Sequence, residues 1–250
     1  MVSYKVFTLF PDFIQNYIES CAPLKRGIEQ NKIEIQTVNF RDFSASKHKK
    51  VDDEVYGGGP GMLLSPQPLI DSINHHKTKK SKIFFLDPKG KPFNNKMAKE
   101  ISQNEEIFLV CGKYEGFDKR IFDLVEGRLI SLGDFILTGG ELAALAVIDA
   151  SARYVQGVLE SYESQEVESF NMGWLENDNY TRPRIYEEIP VPEVLFNGNH
   201  KKIEEWKLRN SIKNTIKNRP DLLKLLNLKN SEIEIMKLII KECYDGNQYR

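Results

Sequence analysis

Three times between residues 82 and 133, a short apolar run stops at a glycine-bearing turn. Residues 82–86 precede Asp87-Pro88-Lys89-Gly90, residues 107–110 precede Cys111-Gly112-Lys113-Tyr114-Glu115-Gly116, and residues 128–132 precede Gly133. The last turn continues through Asp134-Phe135-Ile136-Leu137-Thr138-Gly139-Gly140 into a helix expected over residues 141–153. Buried-looking strands alternating with helices indicate an α/β domain on a mostly parallel sheet. In such sheets ligands bind beyond the carboxyl ends of the strands, where these loops would lie.

The 250 residues suffice for one large domain or two modest ones. With 40% hydrophobic and 28% charged residues, collagen, a disulfide scaffold and general disorder are excluded. A formal net charge of -1 means that any polyanionic partner must be met by local patches. The longest apolar runs, such as 142–148, stop well short of the roughly 20 residues of a membrane span. Met1-Val2-Ser3-Tyr4-Lys5 opens into a strand-like stretch without a signal-peptide pattern. Cys21, Cys111 and Cys243 form no CxxC, so a reduced, cytoplasmic location is expected.

Near the start, Val6-Phe7-Thr8-Leu9-Phe10 is broken by Pro11-Asp12 before an amphipathic stretch to Ile28, and residues 33–40 alternate like a strand. A basic loop at 44–50 leads to Tyr56-Gly57-Gly58-Gly59-Pro60-Gly61-Met62, which cannot be helix or interior strand. Residues 157–170, with Glu160, Glu163, Glu166 and Glu168 among serines, show no helical apolar face and read as a linker. Residues 180–192 look irregular. Helices are then expected at 201–218, carrying Trp206, Ile212 and Ile216, at 222–228, and from a cap at Ser231-Glu232-Ile233-Glu234 to about Cys243. The C-terminal third is therefore a small helical domain.

Several chemistries are absent. There is no GxxxxGK[ST], and Met62 occupies the third glycine position of a GxGxxG. GxSxG, HExxH and metal-spaced Cys/His clusters are missing too, with His48, His75, His76 and His200 the only histidines. What remains favours a nucleoside-like cofactor held against glycine loops without a polyphosphate clamp, although glycine is also the ordinary turn residue. Residues 77–82 hold four lysines, and residues 201–225 hold eight Lys/Arg against three acids. These runs suit either solvated faces or a phosphate footprint.

Taken in order, several segments resemble the bacterial tRNA (guanine-N1) methyltransferases of the SPOUT superfamily. They are Val51-Asp52-Asp53 with the loop 56–62, Val110-Cys111-Gly112-Lys113-Tyr114-Glu115-Gly116-Phe117-Asp118-Lys119-Arg120, the stretch 130–142, Tyr180-Thr181-Arg182-Pro183, and Val191-Pro192-Glu193-Val194-Leu195 with Gly198-Asn199-His200. The resemblance spans about residues 4 to 225. It implies methyl transfer from S-adenosylmethionine to N1 of guanosine 37 in tRNA, just 3′ of the anticodon. It also implies a deep trefoil knot, a rare exception to unthreaded connections, and a homodimer whose two chains share each active site. The implied organisation is a knotted cofactor domain at 1–158, a linker at 159–171 and a helical tRNA-binding domain at 172–250.

Carried onto this sequence, the resemblance implies a cofactor pocket of Phe85, Leu86, Pro88, Gly90, Gly112, Tyr114, Glu115 and Gly116. The pocket continues through Ser131, Leu132, Gly133, Asp134, Phe135, Ile136, Leu137, Gly139 and Gly140. Backbone groups of Leu132, Phe135 and Leu137 would read the adenine edge. Arg153 matches the family's catalytic arginine. Its general-base aspartate falls on Glu168, a departure that adds a methylene and leaves Glu166 or Glu163 as alternative bases. Asp87-Pro88-Lys89-Gly90 stands where the family favours Ser-Pro-Gln-Gly. Asp52, Gly57, Gly58, Gly59, Gly61 and Met62 match elements that contact the guanosines, and Asn199, His200, Lys207 and Arg209 are further expected RNA contacts. Lys207 replaces a common arginine. No metal ligand cluster is evident, so the family's Mg2+ dependence is left open. A related methylase with another target nucleotide, and a non-catalytic RNA-binding module, are the alternatives.

Overall fold

The computed structural model describes residues 1–159, 169–170, 173–225 and 230–246. The chain divides into two compact units, Met1–Glu160 and Ser161–Arg250.

The first unit is built on five parallel strands: β1 (Val2–Thr8), β2 (Ile33–Asn39), β5 (Ser81–Pro92), β6 (Glu106–Cys111) and β7 (Arg128–Ser131). Their spatial order is β2-β1-β6-β5-β7, and all four pairings are parallel. A parallel sheet must be covered on both faces, and alternate residues of each strand supply two separate cores. Tyr4, Val6, Phe84, Leu86, Ile107, Leu109 and Cys111 pack toward α1 (Pro11–Ser20), α2 (Ala22–Glu29), α4 (Asn95–Ser102) and α6 (Glu141–Ala152). Phe7, Ile83, Phe85, Phe108 and Val110 pack toward α3 (Pro66–His76) and α5 (Lys119–Leu124).

Local chemistry sets the helix ends. Pro11 and Pro66 open α1 and α3, where a missing N–H costs nothing. The Asn94 side chain accepts the Met97 N–H to start α4, and Asp118 accepts the Arg120 N–H to start α5. The amphipathic stretch expected to Ile28 is two helices, because Cys21 leaves helical geometry and Pro23 opens α2. Helix α6 is apolar nearly all round, which suits its burial against β1, β6 and α4.

Strand β5 is longer than expected. Its register with β7 shifts so that Ile130 faces both Leu86 and Lys91. Residues 87–90 therefore arch out of the ladder. A short hairpin, β3 (Asp52–Glu54) with β4 (Met62–Leu64), carries the glycine loop at its tip. Met62, expected in that loop, is thus the first residue of a strand.

In the second unit, α7 (His200–Asn218) and α8 (Asn230–Gly246) enclose a small core of Trp174, Ile212 and Ile239. The Asn199 side chain caps α7 through the Lys202 N–H. Instead of a helix at 222–228, a 3₁₀ turn covers Pro220–Leu225; residues 226–229 lie outside the described residues. The segment 180–192, expected to be irregular, contains a two-stranded hairpin, β8 (Ile185–Tyr186) with β9 (Ile189–Pro190). Glu187 and Glu188 make its turn with positive φ.

Candidate active site

The arch within β5 and the loops following β6 and β7 close a cleft of about 250 Å³. Residues 86–89 form one wall, 112–117 a second, and 130–133 with 135–140 a third, with Ala143 of α6 at the base. The loops are stapled to one another. The Gly140 N–H donates to the Gly112 carbonyl across 2.8 Å, Lys113 pairs with Gly139 in an antiparallel bridge, and Lys113 Nζ donates to the Thr138 carbonyl at 2.9 Å. Gly140 is required by this approach: a Cβ there would sit 2.7 Å from Cys111 Cα and 2.8 Å from Gly112 N.

The cleft carries both acids and bases. Asp87 is buried, and its Oδ1 accepts the Lys89 N–H at 2.8 Å. Glu115 is exposed, and its backbone N–H donates to the Met62 carbonyl at 2.9 Å. The Leu64 N–H likewise reaches the Gly116 carbonyl at 3.0 Å, so the β3–β4 hairpin is bonded to the second wall. Behind the cleft, buried Glu141 accepts a hydrogen bond from the Thr8 hydroxyl. Burial, and secondarily the Glu141 charge, push the neighbouring Cys111 thiol well above its ordinary range, leaving it a poor nucleophile.

Of the residues expected to bind a cofactor, Leu86, Pro88, Gly112, Tyr114, Glu115, Gly116, Ser131, Leu132, Gly133, Phe135, Ile136, Leu137, Gly139 and Gly140 line this cleft. Phe85, Gly90 and Asp134 do not. Phe85 points into the core beneath the opposite face, and Gly90 packs on the backbone of Ile130, 2.4 Å from its N for an added Cβ. The wall also includes Asp87, Lys89, Lys113, Phe117, Ile130, Thr138 and Ala143. Asp87 and Lys89 were marked in the sequence only as departures from the family pattern, and the others lie in or beside the stretches that carry the resemblance. Arg153 is half-buried at the C-cap of α6. Glu168, with Glu163 and Glu166, lies outside the described residues.

The expected RNA contacts divide between the two units. Asp52 begins β3, while Gly57, Gly58, Gly59 and Gly61 form an exposed loop with φ from +82° to +131°. In the second unit Asn199 and His200 start α7, Lys207 pairs with Glu204 at 3.1 Å, and Arg209 is half-buried on the same helix.

The wall suits a nucleoside bearing a charged tail. Leu86, Ile130, Leu132, Leu137 and Ala143 supply apolar surface for a flat base, and Asp87 and Glu115 can accept hydrogen bonds or meet a cation. Among the described residues, no group of three or more His, Cys, Asp or Glu is placed to hold a metal ion. No described helix is long and apolar enough to cross a membrane.

Comparison with known proteins bears on the same residues. Residues 2–225 match the family described as tRNA (Guanine-1)-methyltransferase TrmD. A protein of Clostridioides difficile named tRNA (guanine-N(1)-)-methyltransferase is 48% identical over 230 residues, covering 90% of this chain and 99% of the relative. One of Caldanaerobacter subterraneus subsp. tengcongensis with the same name is 48% identical, covering 90% of this chain and 93% of its own. Another, from a Sulfurihydrogenibium species, is 44% identical over 94% of this chain and 93% of its own. The chain belongs to the tRNA (guanine-1)-methyltransferase family.

Proposed function

We propose that this protein transfers a methyl group from S-adenosylmethionine to N1 of guanosine 37 in tRNA, acting in the cytoplasm as a homodimer. The observation that carries the reading is the cleft between the β5 arch and the loops after β6 and β7, in a chain of this family. S-adenosylmethionine, when bound, supplies an electrophilic methyl group on sulfur. Leu86, Leu132 and Leu137 would hold the adenine, and Glu115 would lie near the aminoacyl part.

Guanine N1 carries a proton at neutral pH, so its removal must accompany methylation, and charge builds on O6. Glu168, two residues before Phe170, is the proposed base; a placed carboxylate contributes typically about 10²–10⁴ in rate. The Arg153 guanidinium, at the end of α6, would stabilise the charge at O6. Binding of tRNA is assigned to residues 172–250, joined by a linker at 159–171 to the cofactor domain at 1–158. The basic helix α7 and the glycine loop of the first unit supply the RNA contacts. A knotted path for the first domain belongs to the same reading.

A homodimer is supported by exposed apolar side chains beside the cleft. Phe10, Phe13 and Leu142 are 47%, 46% and 52% exposed and share one depression with Lys113, Thr138 and Gly139. Such a patch marks an interaction surface.

Incubation with methyl-labelled S-adenosylmethionine and tRNA transcripts differing only at position 37 tests the reading. Formation of N1-methylguanosine there is expected. Label at another nucleotide selects a different target specificity, and RNA binding without transfer selects a non-catalytic module. A single-turnover rate unchanged in Glu168→Ala would discard that base, and chelation of Mg2+ in the same assay tests the metal's role.

A further inference from the structure

The Asp87 carboxylate is left half-satisfied by the protein itself. Only 7% of the residue is exposed, yet it lines the cleft. Oδ1 takes the Lys89 N–H; Oδ2 is directed toward the second wall, 3.9 Å from where a Cβ on Gly116 would lie. Among the described residues Asp87 has no ion pair. A buried anion without a countercharge is costly, and such a site gains when a ligand brings the missing cation. The other titratable side chains on the walls are Lys89, Lys113, Tyr114 and Glu115. Tyr114, Glu115 and Lys89 are exposed, and Lys113 donates to the Thr138 carbonyl. Water and salt screen exposed charges far more than a buried one.

We propose that Asp87 is a specificity-determining residue that makes the cleft prefer a sulfonium methyl donor over its uncharged thioether product. The inference rests on the donor reading of the cleft. Donor and product share the adenosine and the aminoacyl group and differ by one methyl and one positive charge on sulfur. A carboxylate held in a nearly dry wall distinguishes them by charge, and so helps the spent product to leave. Asp87→Asn keeps the shape and the acceptor for the Lys89 N–H while removing the charge; Asp87→Ser keeps an acceptor on a shorter side chain.

Calorimetric titration of the full chain without tRNA, using S-adenosylmethionine and S-adenosylhomocysteine separately, reads this directly. Asp87→Asn is expected to weaken the donor about tenfold and the product by less than about threefold. Asp87→Ser should lose the same discrimination. The ligand-free melting temperature should be unchanged or higher in both variants, because an unpaired buried charge has been removed. Equal weakening of both ligands, no change in either, or a lowered melting temperature with both affinities reduced would overturn the proposal. If the unmodified protein binds neither ligand, the donor reading of the cleft fails first, and the proposal with it.

Discussion

The Thr8 hydroxyl donates to Glu141 Oε1 across 2.8 Å, and both side chains are buried. This bond ties the last residue of β1 to the first residue of α6. It anchors the chain on an inner strand of the sheet immediately after the third cleft loop. The Thr8 oxygen also accepts the Phe10 N–H at 2.9 Å. Thr8→Val keeps the shape but strands a buried carboxylate oxygen and a backbone donor. A stability loss of about 1–3 kcal/mol is expected in urea unfolding, and a loss below about 0.5 kcal/mol would show that the bond contributes little.

Gly140→Ala should do more damage than its size suggests. The new methyl would meet the backbone of Cys111 and Gly112, which cannot rotate away. Overpacking of this kind costs about 1–3 kcal/mol, and it would separate the second and third walls. Weakened donor binding measured beside a lowered melting temperature is the expected pair of results; intact affinity would show that the loops can part without harm.

Acid sensitivity should depend on Glu106. Burial pushes its carboxyl up, but hydrogen bonds from Ser81, Thr78 and Lys5 outweigh that and leave it below the ordinary glutamate value of 4.5. A carboxylate depressed on folding stabilises the fold above its unfolded value, and the contribution is lost as pH falls through the folded value. Glu106→Gln should therefore lower stability at pH 7 and flatten its fall below about pH 4.5. Parallel stability curves for the two proteins from pH 7 to pH 3 would contradict this.

Phe13→Asp places a charge in the exposed apolar patch with Phe10 and Leu142. Light scattering should show a monomer, and turnover on tRNA should fall by roughly tenfold or more, because the proposed site draws on both chains. Donor affinity should persist, since Phe13 does not line the cleft. A dimer with full turnover would remove this face from the assembly.

Much of the cleft was legible because glycine and proline punctuate it. The apolar runs ended where the strands end, apart from β5, and the turns at 112–116 and 132–140 became walls. Phe85 was misplaced for a physical reason. In a sheet covered on both faces Ile83, Phe84, Phe85 and Leu86 are all buried, so no polar alternation marks which of them face the helices carrying the site. Asp87 was legible only as a departure from the family pattern. The turn at 87–90 was legible from Pro88 and Gly90, but the return of the strand to the ladder beside Ile130 was not.

Composition, punctuation and the ordered motifs determined the α/β class, the helical C-terminal third and the family, since these depend on short-range residue types. Tertiary structure alone decided the strand order β2-β1-β6-β5-β7, the split of each strand between two cores, and the joining of residues 86–89, 112–117, 130–133 and 135–140 into one cleft. Those features arise from contacts between segments far apart in the chain, which no local pattern encodes.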